Sequence, residues 1–176
     1  NPTVCFSSSG DSCDIEFADA GFIFLNGIAG SLGAIPSQVA GNTFPLNIQV
    51  VKNNEGVCEG LFVNKKDIGF SQENVEQGVV GGLRFSIGGN NIAKHSSANS
   101  TNIRLDFGSE SIAEIPTPIY YDAGPIRLHA YYDLDGIAVY GNSNIDGRLD
   151  VQNDASFASS LDITADLSVG NKLVEY

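Results

Sequence analysis

The sequence predicts an all-β fold, an antiparallel sandwich followed by a short repetitive β segment. Three observations predict it. The chain has 176 residues, of which 20 are Gly and 42% are hydrophobic, with no Met or Trp; this composition suits short strands joined by tight turns better than a helical bundle. Apolar and polar side chains alternate over several stretches between residues 44 and 131. Beyond residue 137 the alternation takes on a six-residue rhythm.

The stretch from 120 to 131 is the clearest strand. A turn with Asp122, Gly124 and Pro125 precedes it, and strict alternation follows. Ile126, Leu128 and Ala130 lie on one face, and Arg127, His129 and Tyr131 lie on the other. The order from Asp122 to Leu128 matches the Asp-x-Gly-x-Tyr-x-Cys entry into the sixth strand of immunoglobulin-like sandwiches, with Ile and Leu at the Tyr and Cys positions. We therefore expect residues 1–142 to form such a sandwich around this strand, without a tyrosine corner or an inter-sheet disulfide.

The first half of the chain supplies further strands in order. Residues 13–25 are predicted as an edge strand with a bulge, because Ala-Asp-Ala-Gly at 18–21 interrupts the alternation. Pro36 places its segment at a sheet edge or in a strand that switches sheets, since proline donates no ladder hydrogen bond. Residues 44–50 alternate cleanly and are predicted to form a second strand.

The middle of the chain is less regular. Residues 58–72 suit two short strands separated by Lys65-Lys66-Asp67, and residues 72–80 could hold the one helical turn. Residues 83–87 and 103–107 alternate on either side of a Gly-Gly-Asn-Asn turn and a polar loop, so we expect them to pair with each other.

The six-residue rhythm occupies the C-terminal part. The first positions of the hexads are Ile137, Ser143, Leu149, Ala155, Leu161, Leu167 and Leu173, and the third are Val139, Ile145, Val151, Phe157, Ile163, Val169 and Glu175. Twelve of these fourteen are apolar, as a β-solenoid or an intertwined trimeric β-fibre requires. We assign residues 143–176 to this hexad-repeat segment and expect residues 149–176 to support homo-oligomers. Two or three plain strands are the alternative, because six is a multiple of two.

The net charge and the cysteines limit which partners and which cellular compartment we expect for the protein. The net charge of −12 argues against nucleic-acid and anionic-membrane partners, and no run approaches the ~20 apolar residues of a membrane span. The start at Asn1-Pro2 suggests a mature fragment or a piece of a longer protein. A Cys5–Cys13 disulfide would stabilise by about 2.5 kcal/mol in the chain-entropy model and would suit an extracellular or periplasmic setting. Cys58 is then left over, buried and free or paired outside the chain, and three reduced thiols are the alternative.

Few residues suggest a site. Asp133 and Asp135, followed by Gly136, could turn their oxygens towards Ca²⁺, although an ordinary acidic turn explains the same residues. His129 has no Ser, Cys or carboxylate beside it in the sequence, and His95 lies in a Ser-rich loop next to Ser96, so we interpret both as solvated surface residues. No catalytic constellation is present, and we expect no enzyme.

Tyrosines concentrate near the central strand. The five are Tyr120, Tyr121, Tyr131, Tyr132 and Tyr140. Exposed members such as Tyr121 and Tyr131 are candidates for binding glycans or proteins, whereas the alternative is that the tyrosines fill the sandwich edge.

Four segments together resemble a known family. They are 17–24, 35–41, 57–62 and 121–130, and in this order they look like successive motifs of MshQ-type proteins of the mannose-sensitive haemagglutinin type IV pilus system of Gram-negative bacteria. The resemblance covers about residues 5–144 and ends where the hexads begin. It implies a secreted cell-surface module without catalytic residues.

The function expected from this resemblance is that of a non-catalytic, extracellular part of a pilus-associated, adhesin-like protein. Its partners would be other pilus or surface subunits, or host and surface glycans. The alternative is a structural segment of an oligomeric, trimeric or phage-like extracellular fibre assembled through the C-terminal repeats.

Overall fold

The computed structural model describes residues 20–27, 35–54, 57–75, 84–96, 98–122 and 124–148, and these ranges are all-β. Their strands are β1 Ala20–Asn26, β2 Gln38–Val39, β3 Leu46–Asn54, β4 Val57–Gly60, β5 Asn64–Asn74, β6 Phe85–Ile87, β7 Asn90–Asn91, β8 Ala93–Lys94, β9 Thr101–Phe107, β10 Ile112–Glu114, β11 Ile119–Tyr120, β12 Gly124–Leu134 and β13 Ile137–Arg148. In the same ranges, no helix has the length and apolar character needed to cross a membrane.

The long strands form two groups joined through β1. The first group runs β10-β3-β1, with β4 added to β3. The second runs β13-β12-β5, and β5 continues to β9 and β8. β1 pairs with β3 along its whole length, but with β13 at the single register position Gly21↔Tyr140. β2 pairs with β13, and a separate small sheet, β11-β6-β7, completes the described strands.

The core is one apolar cluster that draws on both groups, which is the packing of a sandwich. Phe24 of β1 meets Phe70 of β5 edge to face, with ring centroids 6.5 Å apart. The fully buried large side chains are Phe70, Phe85, Leu25, Leu46, Ile48, Ile68, Ile87, Ile92, Leu105, Ile115, Ile126 and Leu128. The alternation from residue 44 to 130 therefore marks the inner faces of the two layers, as predicted.

β12 is the central strand that the sequence predicted. It lies between β13 and β5 and is antiparallel to both. Ile126, Leu128 and Ala130 are at most 1% exposed. Tyr120, just before it, is also buried and donates a hydrogen bond from its hydroxyl to the Gly124 carbonyl at 3.0 Å. This bond closes the bend that leads into β12.

Two predictions of pairing and one of strand length were wrong. β1 has neighbours on both sides, so its described part is not an edge strand. β9 pairs with β5 over residues 64–70, whereas β6 pairs with β7 and β11. β5 spans eleven residues instead of forming a short strand. Alternation identifies a strand but not its neighbour, because every alternating strand offers the same backbone donors and acceptors.

The first two predicted hexads form no repeat of their own. Residues 137–148 make one continuous strand, β13, that pairs with β12 from Leu134↔Ile137 to Gly124↔Gly147. The predicted boundary at 142/143 therefore falls inside a sandwich strand, and the sandwich continues at least to residue 148. The remaining hexads, at 149–176, lie outside the described residues, as does the predicted helical turn beyond residue 75.

Glycines let β13 lie close to its neighbours. A Cβ at Gly141 would come 2.2 Å from the Phe22 carbonyl oxygen of β1. At Gly147 a Cβ would come 2.1 Å from the Asp122 carbonyl oxygen. Only glycine fits such approaches without a backbone shift.

Candidate functional site

The outward faces of β5, β12 and β13 present a continuous set of polar and aromatic side chains, which we call the outer face. Its members are Ser71 and Glu73 of β5; Arg127, His129 and Tyr131 of β12; and Tyr140, Asn142 and Asn144 of β13. The register aligns them in rows across the strands, Glu73–Arg127–Asn144 and Ser71–His129–Asn142, followed by Tyr131 beside Tyr140. Cross-strand neighbours on one face lie about 5 Å apart at Cβ, so these side chains can touch.

The first row is a chain of polar contacts. Arg127 Nη1 lies 3.2 Å from Glu73 Oε1, and Arg127 Nε donates to Asn144 Oδ1 at 3.2 Å. The Arg127 and Glu73 side chains are 40% and 34% exposed, so the pair contributes only about 0.2–1 kcal/mol to stability. Its main effect is to fix where the Glu73 carboxylate lies.

The second row brings together both histidines of the chain. β5 exchanges β9 for β8 as its neighbour after residue 70, and His95 follows β8. The His95 amide donates to the Gln72 carbonyl at 2.6 Å. The His95 ring then stacks on His129, with centroids 3.9 Å apart and planes 11° apart, and its Nδ1 lies 2.8 Å from Ser71 Oγ. The fold thus brings Ser71 of another strand to His95 and the Glu73 carboxylate to His129.

His129 is not the solvated residue that we predicted. Its side chain is 19% exposed, and its Nε2 lies 3.1 Å from Glu73 Oε1. Apart from this carboxylate, the buried nitrogen has no polar neighbour within hydrogen-bond distance in the described part of the chain. Burial lowers the pKa of His129 below its usual 6.5 and neighbouring His95 lowers it further, while Glu73 opposes the shift. The neutral imidazole is therefore favoured.

The tyrosines divide between core and surface. Tyr120 is buried and Tyr132 packs on the core beside Phe62, with ring centroids 5.1 Å apart. Tyr131 and Tyr140 form an exposed cross-strand pair, 36% and 57% exposed, with ring centroids 5.1 Å apart. The predicted alternative, that tyrosines fill the sandwich, therefore applies to two of the five and not to this pair.

The two predicted ligand-binding tyrosines do not share a platform. Tyr121 is 54% exposed, but its hydroxyl lies 3.1 Å from Ser86 Oγ and its amide donates to the Arg84 carbonyl at 2.8 Å, so it belongs with β6. Tyr131 lies seven residues along β12 from Gly124, roughly 23 Å at ~3.3 Å per residue. Tyr140 is the neighbour that Tyr131 actually has.

The predicted calcium residues form the turn of the β12–β13 hairpin. Asp135 and Gly136 have φ of 52° and 88°, the left-handed pair typical of a two-residue Asp-Gly turn. Asp133 Oδ1 accepts a hydrogen bond from the Gly136 amide at 2.7 Å. The turn explains both carboxylates without a metal, and calcium binding stays a prediction.

The cysteines are only partly described. Cys58 lies in β4, whose residues are all exposed, and it is disulfide-bonded, so it is not the buried free thiol of our prediction. Cys5 and Cys13 lie outside the described residues, and the predicted bond between them stays a prediction.

The comparisons with known proteins give one match. A family model described as "Domain of unknown function (DUF6701), first Ig-like domain" matches residues 2–147. The match ends within one residue of the end of β13. No curated protein and no solved structure matches the chain.

Proposed function

Because the chain belongs to the DUF6701 family, over its first immunoglobulin-like domain, we propose that it is a non-catalytic recognition module of an extracellular, adhesin-like surface protein. The observation that carries this proposal is the Tyr131–Tyr140 pair on the outer face. The four motifs that resemble MshQ-type proteins extend the proposal to a pilus-associated protein, with surface subunits or glycans as partners.

Two exposed aromatic rings side by side are suited to binding. Each tyrosine offers an apolar ring face and a hydroxyl that can both donate and accept hydrogen bonds. Rigid strands hold both rings, so little side-chain entropy is lost when a ligand stacks on them. Asn142 and His129 occupy the next row and add polar groups beside the rings. This combination suits a neutral sugar or a peptide surface.

The net charge of the chain narrows the range of ligands that we expect it to bind. With a net charge of −12, an anionic ligand would approach against repulsion, whereas a neutral glycan would not. The disulfide at Cys58 is consistent with an oxidising compartment outside the cytoplasm.

The Ser–His contact on the outer face does not favour catalysis. Ser71 is 6% exposed and lies under His95, so its hydroxyl is not presented to a substrate. A hydrolase would also need a group that orients the histidine and donors for an oxyanion. Among the described residues, the second nearby ring, His129, stacks on His95 face to face, an arrangement that provides neither.

Tyrosine fluorescence provides a direct test, because the chain has no Trp to mask it. Wild type and the double variant Tyr131→Ala/Tyr140→Ala are applied to an array of neutral and sialylated glycans, and hits are titrated by fluorescence. We expect neutral glycans to bind wild type and to lose at least tenfold in affinity with the double variant. Tyr121→Ala, which changes a similarly exposed ring at β6, should bind as wild type does. Equal binding by wild type and the double variant would end the proposal.

The fibre alternative depends on residues 149–176, which lie outside the described residues. Its test is the size of the full chain in solution compared with a chain ending at residue 148. Oligomers of the first that become monomers in the second would favour assembly as the role of that segment.

A further inference from the structure

The geometry points to a divalent transition-metal site, suited to Zn²⁺, formed by Glu73, His95 and His129 on the outer face. One ligand atom from each of these residues lies within 4.8 Å of the other two. Two imidazole nitrogens and one carboxylate oxygen form a ligand set found at zinc sites with three protein ligands, where water takes the fourth position. This inference does not depend on glycan binding by the tyrosine pair.

The required movement is small. Tetrahedral Zn²⁺ with bonds of about 2.0–2.2 Å places its ligand atoms roughly 3.3–3.6 Å apart. Nε2 of His129 and Oε1 of Glu73 are already 3.1 Å apart. The His95 ring must turn out of its parallel stack to direct a lone pair at the same point, and it can do so because His95 is exposed. The other two ligands are half-buried and stay in place.

Neighbouring side chains orient the metal ligands. Ser71 Oγ, 2.8 Å from His95 Nδ1, can accept a hydrogen bond from Nδ1–H and so favour the tautomer with its lone pair on Nε2, as outer partners of zinc-bound histidines commonly do. Arg127, held by Asn144, also contacts Oε1 of Glu73, the same oxygen that lies near His129 Nε2. A cation beside the site weakens binding of a second cation, so we expect Arg127 to limit the affinity.

One atom of the cluster lacks the partner that a metal would provide. His129 Nε2 is buried and has no hydrogen-bond partner in the described part of the chain. Leaving a buried polar atom without a partner destabilises the folded state. Coordination of a metal would satisfy this nitrogen.

The test is calorimetric titration of the full chain with ZnCl₂ at pH 7.5, after chelator treatment and alkylation of any free thiol. We expect one Zn²⁺ per chain and a rise in melting temperature. His95→Ala removes the exposed ligand with least risk to folding and should weaken binding at least tenfold, as should Glu73→Gln. Arg127→Gln should bind Zn²⁺ more tightly than wild type, a change that damage to the fold would not produce.

Two controls distinguish this site from others. Asp133→Asn/Asp135→Asn, at the hairpin turn, should leave Zn²⁺ binding unchanged. Co²⁺ should give the intense visible absorption of a four-coordinate complex in wild type and lose it in His95→Ala. The inference is overturned if wild type takes up no Zn²⁺ at millimolar metal, or if His95→Ala and Glu73→Gln bind it as wild type does.

Discussion

Replacing Gly141 with Ala tests the packing of β13 against β1, because the close approach of these strands decides whether the substitution raises or lowers the free energy of unfolding. In an ordinary strand, Gly→Ala stabilises a protein by about 0.4–1 kcal/mol, because Ala has less backbone entropy to lose on folding. The structure predicts the reverse here. The new Cβ would lie 2.2 Å from the Phe22 carbonyl oxygen and 2.6 Å from Phe22 Cβ.

The magnitude follows from what must move. A carbon and an oxygen in contact need about 3.2 Å or more, so roughly 1 Å of separation must be created between two backbones. The atom in the way is a carbonyl oxygen, and no side-chain rotation relieves the clash. Forcing extra volume into a packed interior costs about 1–3 kcal/mol. Adjacent to this position lies Gly21↔Tyr140, the single register pair between β1 and β13, and we expect that pair to be lost.

Urea unfolding followed by circular dichroism measures the change in the free energy of unfolding. Gly108→Ala is the matched control, because a Cβ there meets nothing closer than the Ile112 carbonyl oxygen at 3.8 Å, and this variant should be as stable as wild type or slightly more stable. We expect Gly141→Ala to be less stable by about 1–3 kcal/mol. If Gly141→Ala matches or exceeds the stability of wild type, β1 and β13 do not approach as described.

Two further predictions concern titration and cysteine pairing. The pKa of His129 is lowered in the folded state, so the unfolded chain binds more protons, and the free energy of unfolding falls as pH drops through the unfolded pKa of about 6.5, by at most about 1.4 kcal/mol per pH unit. Melting temperatures measured in chelator should therefore fall further between pH 7.5 and 5.5 for wild type than for His129→Gln. Equal falls would contradict the prediction. Peptide mapping without reduction should find Cys58 in a disulfide-linked peptide, and a free Cys58 thiol would contradict the structure. Because the chain has three cysteines, an intrachain bond of Cys58 would exclude the Cys5–Cys13 pair.

The sequence predicted those parts of the fold that depend on local pattern. Alternation placed Ile126 and Leu128 in the core, because successive side chains of a strand point to opposite faces. The same rule identified the strands around Leu46 and Leu105, both of which are buried. Pro36 likewise marked an edge, since the nearby β2 is a two-residue strand on β13.

What the sequence could not predict depends on which strands meet. The prediction of a hexad repeat was wrong for residues 137–148 because a six-residue period is a multiple of the two-residue period of a plain strand, so these residues satisfied both patterns. Gly141 and Gly147 were the signal against a repeat, since glycine inside a strand often marks a close backbone approach. That signal identifies no partner, and only the structure shows Phe22 and Asp122 on the other side.

The histidine cluster was missed for the same reason, because its residues come together only through the pairing of the strands. Glu73, His95 and His129 lie far apart in the sequence, and they meet because β5 exchanges β9 for β8 between residues 70 and 71. If β9 continued along β5, an ordinary strand residue would cover Ser71 and His95 would be elsewhere. The short β8 instead ends just before His95 and anchors it through the Gln72 carbonyl. A fixed backbone thus holds the one exposed ligand beside two half-buried ones, so substitutions that lengthen β8 should abolish metal binding without touching a ligand.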